Sequence, residues 1–344
     1  MRARDGLIRA SPRLSIEEGT ALYARLKAQV HTEGILERAY VFYAFLTFIA
    51  IAGYVLTMAA IVALDSYLLL LLACLGFSFF TVQLAGIMHD CGHRAVFASA
   101  RNNDILGFIA AAIIGMMLSS WRGHHNRHHA FPNQLERDPD FEIPMISLDL
   151  AQLMRKGSMG RAMARYQAFY FYAIVATASL SNRLGGITNF VRRPIRGELL
   201  NLIAYVPVMV ILFAGPFVFF PIEKAIFVLV TVHFTSGLYL ANCFAPNHKG
   251  MQTLPRDSRM SFLEQQVVTA RNVRGGVLSD ILMVGLNHQI EHHLFPSTPR
   301  NKLARLQPHV LAVCEREGIP YVEASFLSGG RAILSSLHAV TRTA

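Results

Sequence analysis

The stretch AYVFYAFLTFIAIAGYVLTMAAIVALDSYLLLLLACLGFSFFTVQLAGIMHDCGH, residues 39–93, decides the fold. Its two runs without Lys, Arg, Asp or Glu, 39–64 and 66–88, are parted by Asp65 alone and lead into a pair of histidines. Each run exceeds the ~20 residues that carry a helix across a bilayer core. Lipid offers the backbone no hydrogen bonds, so such runs cross as helices that satisfy their own. The pattern recurs at 199–222 and 225–248, with Glu223 and Lys224 in the turn. The expected fold is an all-α membrane protein with four transmembrane helices in two hairpins.

Working outward, the chain of 344 residues is 53% hydrophobic and only 16% charged, well below the ~25% of soluble domains. Segment 89–198 holds thirteen Lys and Arg residues, whereas both hairpin turns carry almost no positive charge. By the positive-inside rule, both termini and this central segment face the cytoplasm. The net charge of +10 then reads as topology and contact with anionic lipid. No basic helix or aromatic platform marks the chain for nucleic acid. Cys74, Cys91, Cys243 and Cys314 make no CxxC pair, and Cys74 and Cys243 read as small apolar fillers within spans.

The first 38 residues include Asp5, Glu17, Glu18 and Glu33 and lack a short apolar core with a cleavage site. No secretory signal is expected, and the first span does the targeting. The expected organisation is a cytoplasmic tail 1–38, a membrane domain 39–325 and a C-terminal tail 326–344. The apolar segments 105–121 and 166–180 are near or below spanning length. They read as re-entrant or interfacial helices, because a crossing at 105–121 would put a bilayer between two histidine clusters.

Those clusters are HDCGH (89–93), HHNRHH (124–129) and HQIEHH (288–293), and they hold nine of the fourteen histidines. On a helix, positions i, i+3 and i+4 share a face. His89 with His93, His125 with His128 and His129, and Gln289 with His292 and His293 all have this spacing. So do His124 with His128 and His288 with His292, so geometry alone leaves the register open. His248, at the end of the last run, falls on the same side. Eight or nine imidazoles exceed the needs of one ion, which takes about four ligands when it is zinc, and so imply two ions. Asp90, Asn126, Asn247, Asp138, Asp140 and Glu291 are the nearest polar groups that could orient the rings. His31, His309 and His338 stand alone and read as ordinary surface or core residues. His233 lies inside the last span and reads as a cavity-lining side chain.

At these residues the chain resembles the integral-membrane fatty acid desaturases, whose boxes read HxxxH, HxxHH and (H/Q)xxHH. Here they appear as HDCGH, HNRHH (125–129) and QIEHH (289–293), and the resemblance runs over roughly residues 35–325. QIEHHLFP, WRGHHNRHHAFPNQLERDPD (121–140), FAPNHKG (244–250) and RNVRGG (271–276) look like the front-end branch and its bacterial acyl-CoA or acyl-lipid relatives. The resemblance implies a histidine-rich cytoplasmic cap holding a non-haem diiron centre in a bacterial cell membrane. It also implies that O2 and two electrons introduce a cis double bond into an acyl chain. Carried onto this sequence, the metal ligands are His89, His93, His125, His128, His129, His248, His292 and His293. Gln289 is then a ligand or an adjacent group, while His124 and His288 drop to neighbours.

Front-end relatives often carry a fused haem domain marked by HPGG, which is absent from this sequence. A separate donor such as ferredoxin with its reductase is therefore expected, steered by the basic face. Trp121, Phe97 and His233 are the expected lining of an acyl tunnel. The same boxes would also serve a lipid or carotenoid hydroxylase or ketolase. A zinc membrane hydrolase would need fewer histidines, and a metal transporter would place its ligands within the spans.

Overall fold

The computed structural model describes residues 12–192 and 199–342. Residues 1–11 and 343–344 of the expected tails, and Arg193 and Arg196 of the basic segment, lie outside the described residues. The chain gathers into two compact units. One comprises Met1–Glu37, His124–Ile174 and Asn242–Ala344, and the other Arg38–Gly123 and Val175–Ala241.

In the second unit, helices Tyr40–Ala63 and Tyr67–Gly92 occupy the two opening charge-free runs. Small residues let them approach closely. A Cβ on Gly53 would lie 2.2 Å from the Phe80 ring, and one on Gly76 would lie 2.9 Å from the Thr57 methyl. Close backbone approach is how helices associate where lipid supplies no hydrophobic drive between them. Tyr43, Tyr54, Phe77, Leu84 and Ile87 are buried together inside. On the outer side Val41, Phe45, Leu56 and Leu68 are 67–85% exposed, an arrangement that suits lipid rather than water.

Helix Ala100–Ile113 is followed, after a bend of 108°, by Leu118–Ala130. Gly115, at φ +68°, makes the turn. The carbonyls at this helix end would otherwise be orphaned. The Tyr54 hydroxyl donates to the Ile113 carbonyl at 3.1 Å, and buried Arg183 donates through Nε to the Ile114 carbonyl at 3.0 Å.

Among the described residues three helices are long and apolar enough to cross a membrane: Tyr40–Ala63, Tyr67–Gly92 and Ile222–His248. A fourth is added if the bent pair is one span. The expected span 199–222 is not continuous; it forms Leu199–Phe213 and Gly215–Phe219. Pro216 accounts for the break, since it has no amide to bond back to Leu212 and its ring crowds that carbonyl.

In the first unit, helix Ile16–Thr32 opens on a capping box. The Glu18 amide donates to Ser15 Oγ at 3.1 Å, and the Ser15 amide donates to Glu18 Oε2 at 2.9 Å. Its Leu22, Leu26 and Val30 pack with Leu263 and Val267 of helix Phe262–Val268 and with Leu306 and Val310 of helix Leu303–Glu317. Strand Asn272–Arg274 pairs in parallel with Glu323–Ser325. The segments expected as tails thus carry helices, and the last, Phe326–Arg342, buries Ile333 and Leu337.

Gly237 is the tightest close approach in the second unit, since a Cβ there would sit 1.7 Å from the Ala176 carbonyl oxygen. Gly237→Ala is expected to destabilise the protein by about 1–3 kcal/mol, the usual range for overpacking. Thermal unfolding in detergent measures this, and an unchanged Tm contradicts the packing.

Candidate metal centre

Six histidines converge in the first unit, carried by three helix segments. Leu118–Ala130 supplies His125, His128 and His129; Ile222–His248 ends on His248; and Gln289–Leu294 supplies His292 and His293. All are buried except half-buried His129. Their ligand atoms fall into two sets, His125 with His129 and His292, and His128 with His248 and His293, each within 4.8 Å of one another. The sets adjoin: the rings of His129 and His293 stack at 4.2 Å.

Hydrogen bonds on the outer nitrogens fix which way three of the rings face. His128 Nδ1 lies 3.0 and 3.1 Å from the two oxygens of Asp138, which also accepts from the backbone amides of Asn133 and Asp140. His248 Nδ1 donates to the Thr269 carbonyl at 3.1 Å, and His293 Nδ1 donates to Gln266 Oε1 at 2.8 Å. Gln266 in turn donates to the His129 carbonyl at 3.0 Å. With these Nδ1 atoms committed outward, the Nε2 atoms of His128, His248 and His293 turn inward.

Those inward atoms meet at distances that identify the site. His128 and His248 approach Nε2 to Nε2 at 3.3 Å, His125 and His129 at 3.1 Å, and His129 and His292 at 3.2 Å. Two ring nitrogens so placed need a proton or a metal ion between them. Imidazole nitrogens sit about 2.0–2.1 Å from a metal ion, which puts neighbouring ligand atoms about 3–3.4 Å apart. The donor set therefore fits metal, and imidazole suits iron among other ions.

The remaining candidates divide clearly. Gln289 is buried with Nε2 2.9 Å from His248 Nε2, and Asn247 Nδ2 donates to its Oε1 at 3.0 Å. His124 is turned away onto Asp140 at 2.6 Å, and His288 onto Asp280 at 3.1 Å. Asn126 is exposed, on the opposite side of its helix from the buried rings. In the second unit, the rings of His89 and His93 lie 4.7 Å apart. His89 Nδ1 lies 3.1 Å from Asp90, whose other oxygen accepts from the Tyr43 hydroxyl at 2.7 Å. Trp121 stands edge-on to His89 at 5.6 Å. Phe97 lines a cavity of about 710 Å3 with Tyr40, Tyr43 and Thr47. His233 stacks on Phe213 at 4.5 Å, and its buried Nδ1 has no hydrogen-bond partner among the described residues.

Charge is managed around the centre rather than within it. Partial burial on its own would raise the Asp140 pKa, but His128, His124 and Lys249 outweigh it and hold the carboxyl well below its usual range. Burial pushes Glu291 the other way, above the usual carboxylate range. The Tyr321 hydroxyl and Asn272 Nδ2, each donating at 2.7 Å, oppose that shift. Thr269, Gln266 and Tyr321 escape sequence reasoning because they reach the histidines or Glu291 from segments that carry no motif, and Asn133 and Asn272, though inside family-like stretches, have no spacing that singles them out.

Orienting partners of this kind typically change metal affinity 10–100-fold when removed. Asp138→Asn is expected to lose metal on dialysis against chelator by about that factor, whereas His124→Ala and His288→Ala retain it. Metal analysis by mass spectrometry decides, and full retention by Asp138→Asn contradicts the assignment.

Comparison with known proteins agrees with the boxes. Residues 65–325 match the family model described as Fatty acid desaturase. An acyl-lipid (9-3)-desaturase of Physcomitrium patens is 27% identical over 274 residues, covering 76% of this chain and 51% of that protein. An acyl-lipid 8-desaturase of Rebecca salina is 30% identical over 253 residues, covering 70% and 56% respectively. An acyl-lipid (9-3)-desaturase of Borago officinalis is 25% identical over 351 residues, covering 94% and 75%. The chain thus spans about half the length of the first two. With its long apolar helices and its histidine sets, this membrane protein belongs to the fatty acid desaturase family.

Proposed function

We propose that this protein is an oxidoreductase that introduces a cis double bond into a fatty acyl chain, using O2 at a centre of two iron ions. The observation that carries the reading is the pair of adjoining three-histidine sets whose Nε2 atoms face one another at 3.1–3.3 Å. The ligands we assign are His125, His128, His129, His248, His292 and His293, joined on the strength of the HDCGH box by His89 and His93. Gln289 is assigned as a neighbour of His248 that contacts the bound ion or its water.

When bound, the irons supply O2 activation. One –CH2–CH2– unit loses two hydrogens, two electrons and two protons are taken up, and O2 leaves as two waters. The protein's own residues hold the geometry. Asp138, the Thr269 carbonyl and Gln266 hold three imidazoles by their Nδ1 atoms so that Nε2 faces the centre, and buried Glu291 anchors the helix of the third box. The protein's remaining task is to present one methylene pair and exclude water, which is positioning rather than chemistry.

The substrate class we assign is an acyl-lipid or acyl-CoA, in keeping with the names of the relatives. Tyr40, Tyr43 and Phe97 of the second unit line a cavity of about 710 Å3 that we assign to the apolar chain. The electron donor we assign is a separate acidic protein of the ferredoxin type, docking on the basic face. Both termini and the histidine boxes lie on the cytoplasmic side of a bacterial cell membrane in this reading, as the distribution of Lys and Arg favours.

Expression in a host that makes only saturated and simple monounsaturated acyl chains tests the reading. A new double bond in the fatty acid profile, lost in His128→Ala, is the expected result. A hydroxylated product would move the enzyme to the hydroxylase branch. No product, or one that survives His128→Ala, would sink the proposal.

A further inference from the structure

Helix Gly276–Leu282 of the first unit carries an exposed aliphatic stripe. Val277, Leu278, Ile281 and Leu282 are 74%, 66%, 49% and 42% exposed. Their spacing of i, i+1, i+4 and i+5 puts all four on one stripe. Asp280, half-exposed, accepts from Asn287 Nδ2 at 2.7 Å and faces His288 Nε2 at 3.1 Å. Four aliphatic side chains shown together on one short helix would be costly in water.

The apolar surface continues beyond this helix. The strand Asn272–Arg274 leads into it and pairs with Glu323–Ser325, so Phe326 and Leu327, themselves 44% and 71% exposed, follow the partner strand on. At its other end the helix touches a candidate membrane span. Cys243 Sγ, five residues from the end of Ile222–His248, donates to the Leu282 carbonyl at 3.5 Å. The patch is therefore level with the last turns of a helix that crosses the bilayer. Arg274, exposed beside it, is placed to meet lipid phosphate.

We propose that Gly276–Leu282 is a membrane-dipping helix, with Val277, Leu278, Ile281 and Leu282 inserted among the lipid acyl chains at the interface. Through Asp280 it is fastened to Asn287 and His288, directly before Gln289, so the bilayer surface is tied mechanically to the third histidine box. The inference rests on the exposed stripe and on the adjacent span, and it stands whatever reaction the metal centre performs.

Leu278→Cys tests it, since all four native cysteines are buried and leave the new thiol as the labelling site. The full-length protein is labelled with the environment-sensitive fluorophore NBD and reconstituted into phosphatidylcholine–phosphatidylglycerol nanodiscs. Val277→Cys provides a second position, and Glu315→Cys, exposed on helix Leu303–Glu317, serves as the aqueous reference. Blue-shifted emission at 277 and 278, quenched several-fold more than at 315 by lipids spin-labelled high on the acyl chain, is the expected outcome. Emission equal to that at 315 overturns the proposal. So does a blue shift without lipid quenching, which would mean that protein rather than lipid covers the stripe.

Discussion

The rest of the site depends on one constraint: a neutral imidazole that donates from one nitrogen offers a lone pair from the other. His128 on Asp138, His248 on the Thr269 carbonyl and His293 on Gln266 obey it together, which turns three lone pairs toward one point. Left unpaired, converging lone pairs are costly in a protein interior, and a metal ion would relieve them. The surrounding architecture serves to hold the outward partners still. Asp138 is gripped by two backbone amides, and Asn133, whose own amide is one of them, uses its side chain to hold the His248 carbonyl at 2.9 Å. The loop after the second box and the end of a membrane-length helix are thereby locked to each other.

Much of this was legible in the sequence, and the reasons differ by residue. His125, His128 and His129 read as one face because helix periodicity is a local property. His124 shares that periodicity with His128 and could be separated from the set only by resemblance to a family; the structure shows Asp140 drawing it away. Asn126 was a reasonable candidate by proximity in sequence, yet one residue along a helix is a rotation of about 100°, which carries it out to the surface. Hydropathy found the charge-free runs but overlooked Pro216, because an apolar average does not register a missing amide. The helices Ile16–Thr32 and Phe326–Arg342 were read as tails because neither is apolar enough for a span. Their amphipathic stripes speak of packing instead.

The two kinds of exposed apolar surface have different meanings. In the second unit, outward-facing Phe and Leu side chains lie along helices long enough to cross a membrane, and they need no explanation beyond lipid contact. Four aliphatic side chains on a helix of seven residues do need one, because nothing in their own length provides it. Their polar anchor, Asp280, contacts the residues that open the third box. An apolar stripe and a metal-bearing helix therefore share one short connection.

Glu291 sits between the ligand-bearing positions of that box, with Tyr321 and Asn272 clasping its two oxygens. Tyr321 lies thirty residues further along the chain. During synthesis, then, the second box emerges and folds its helix long before the clasp for the third box exists. The helix Gln289–Leu294 acquires its fixed orientation only once translation has passed Tyr321. An ion bound before that point meets a third box whose helix Tyr321 does not yet hold, so the centre reaches its final geometry only after Tyr321 is made.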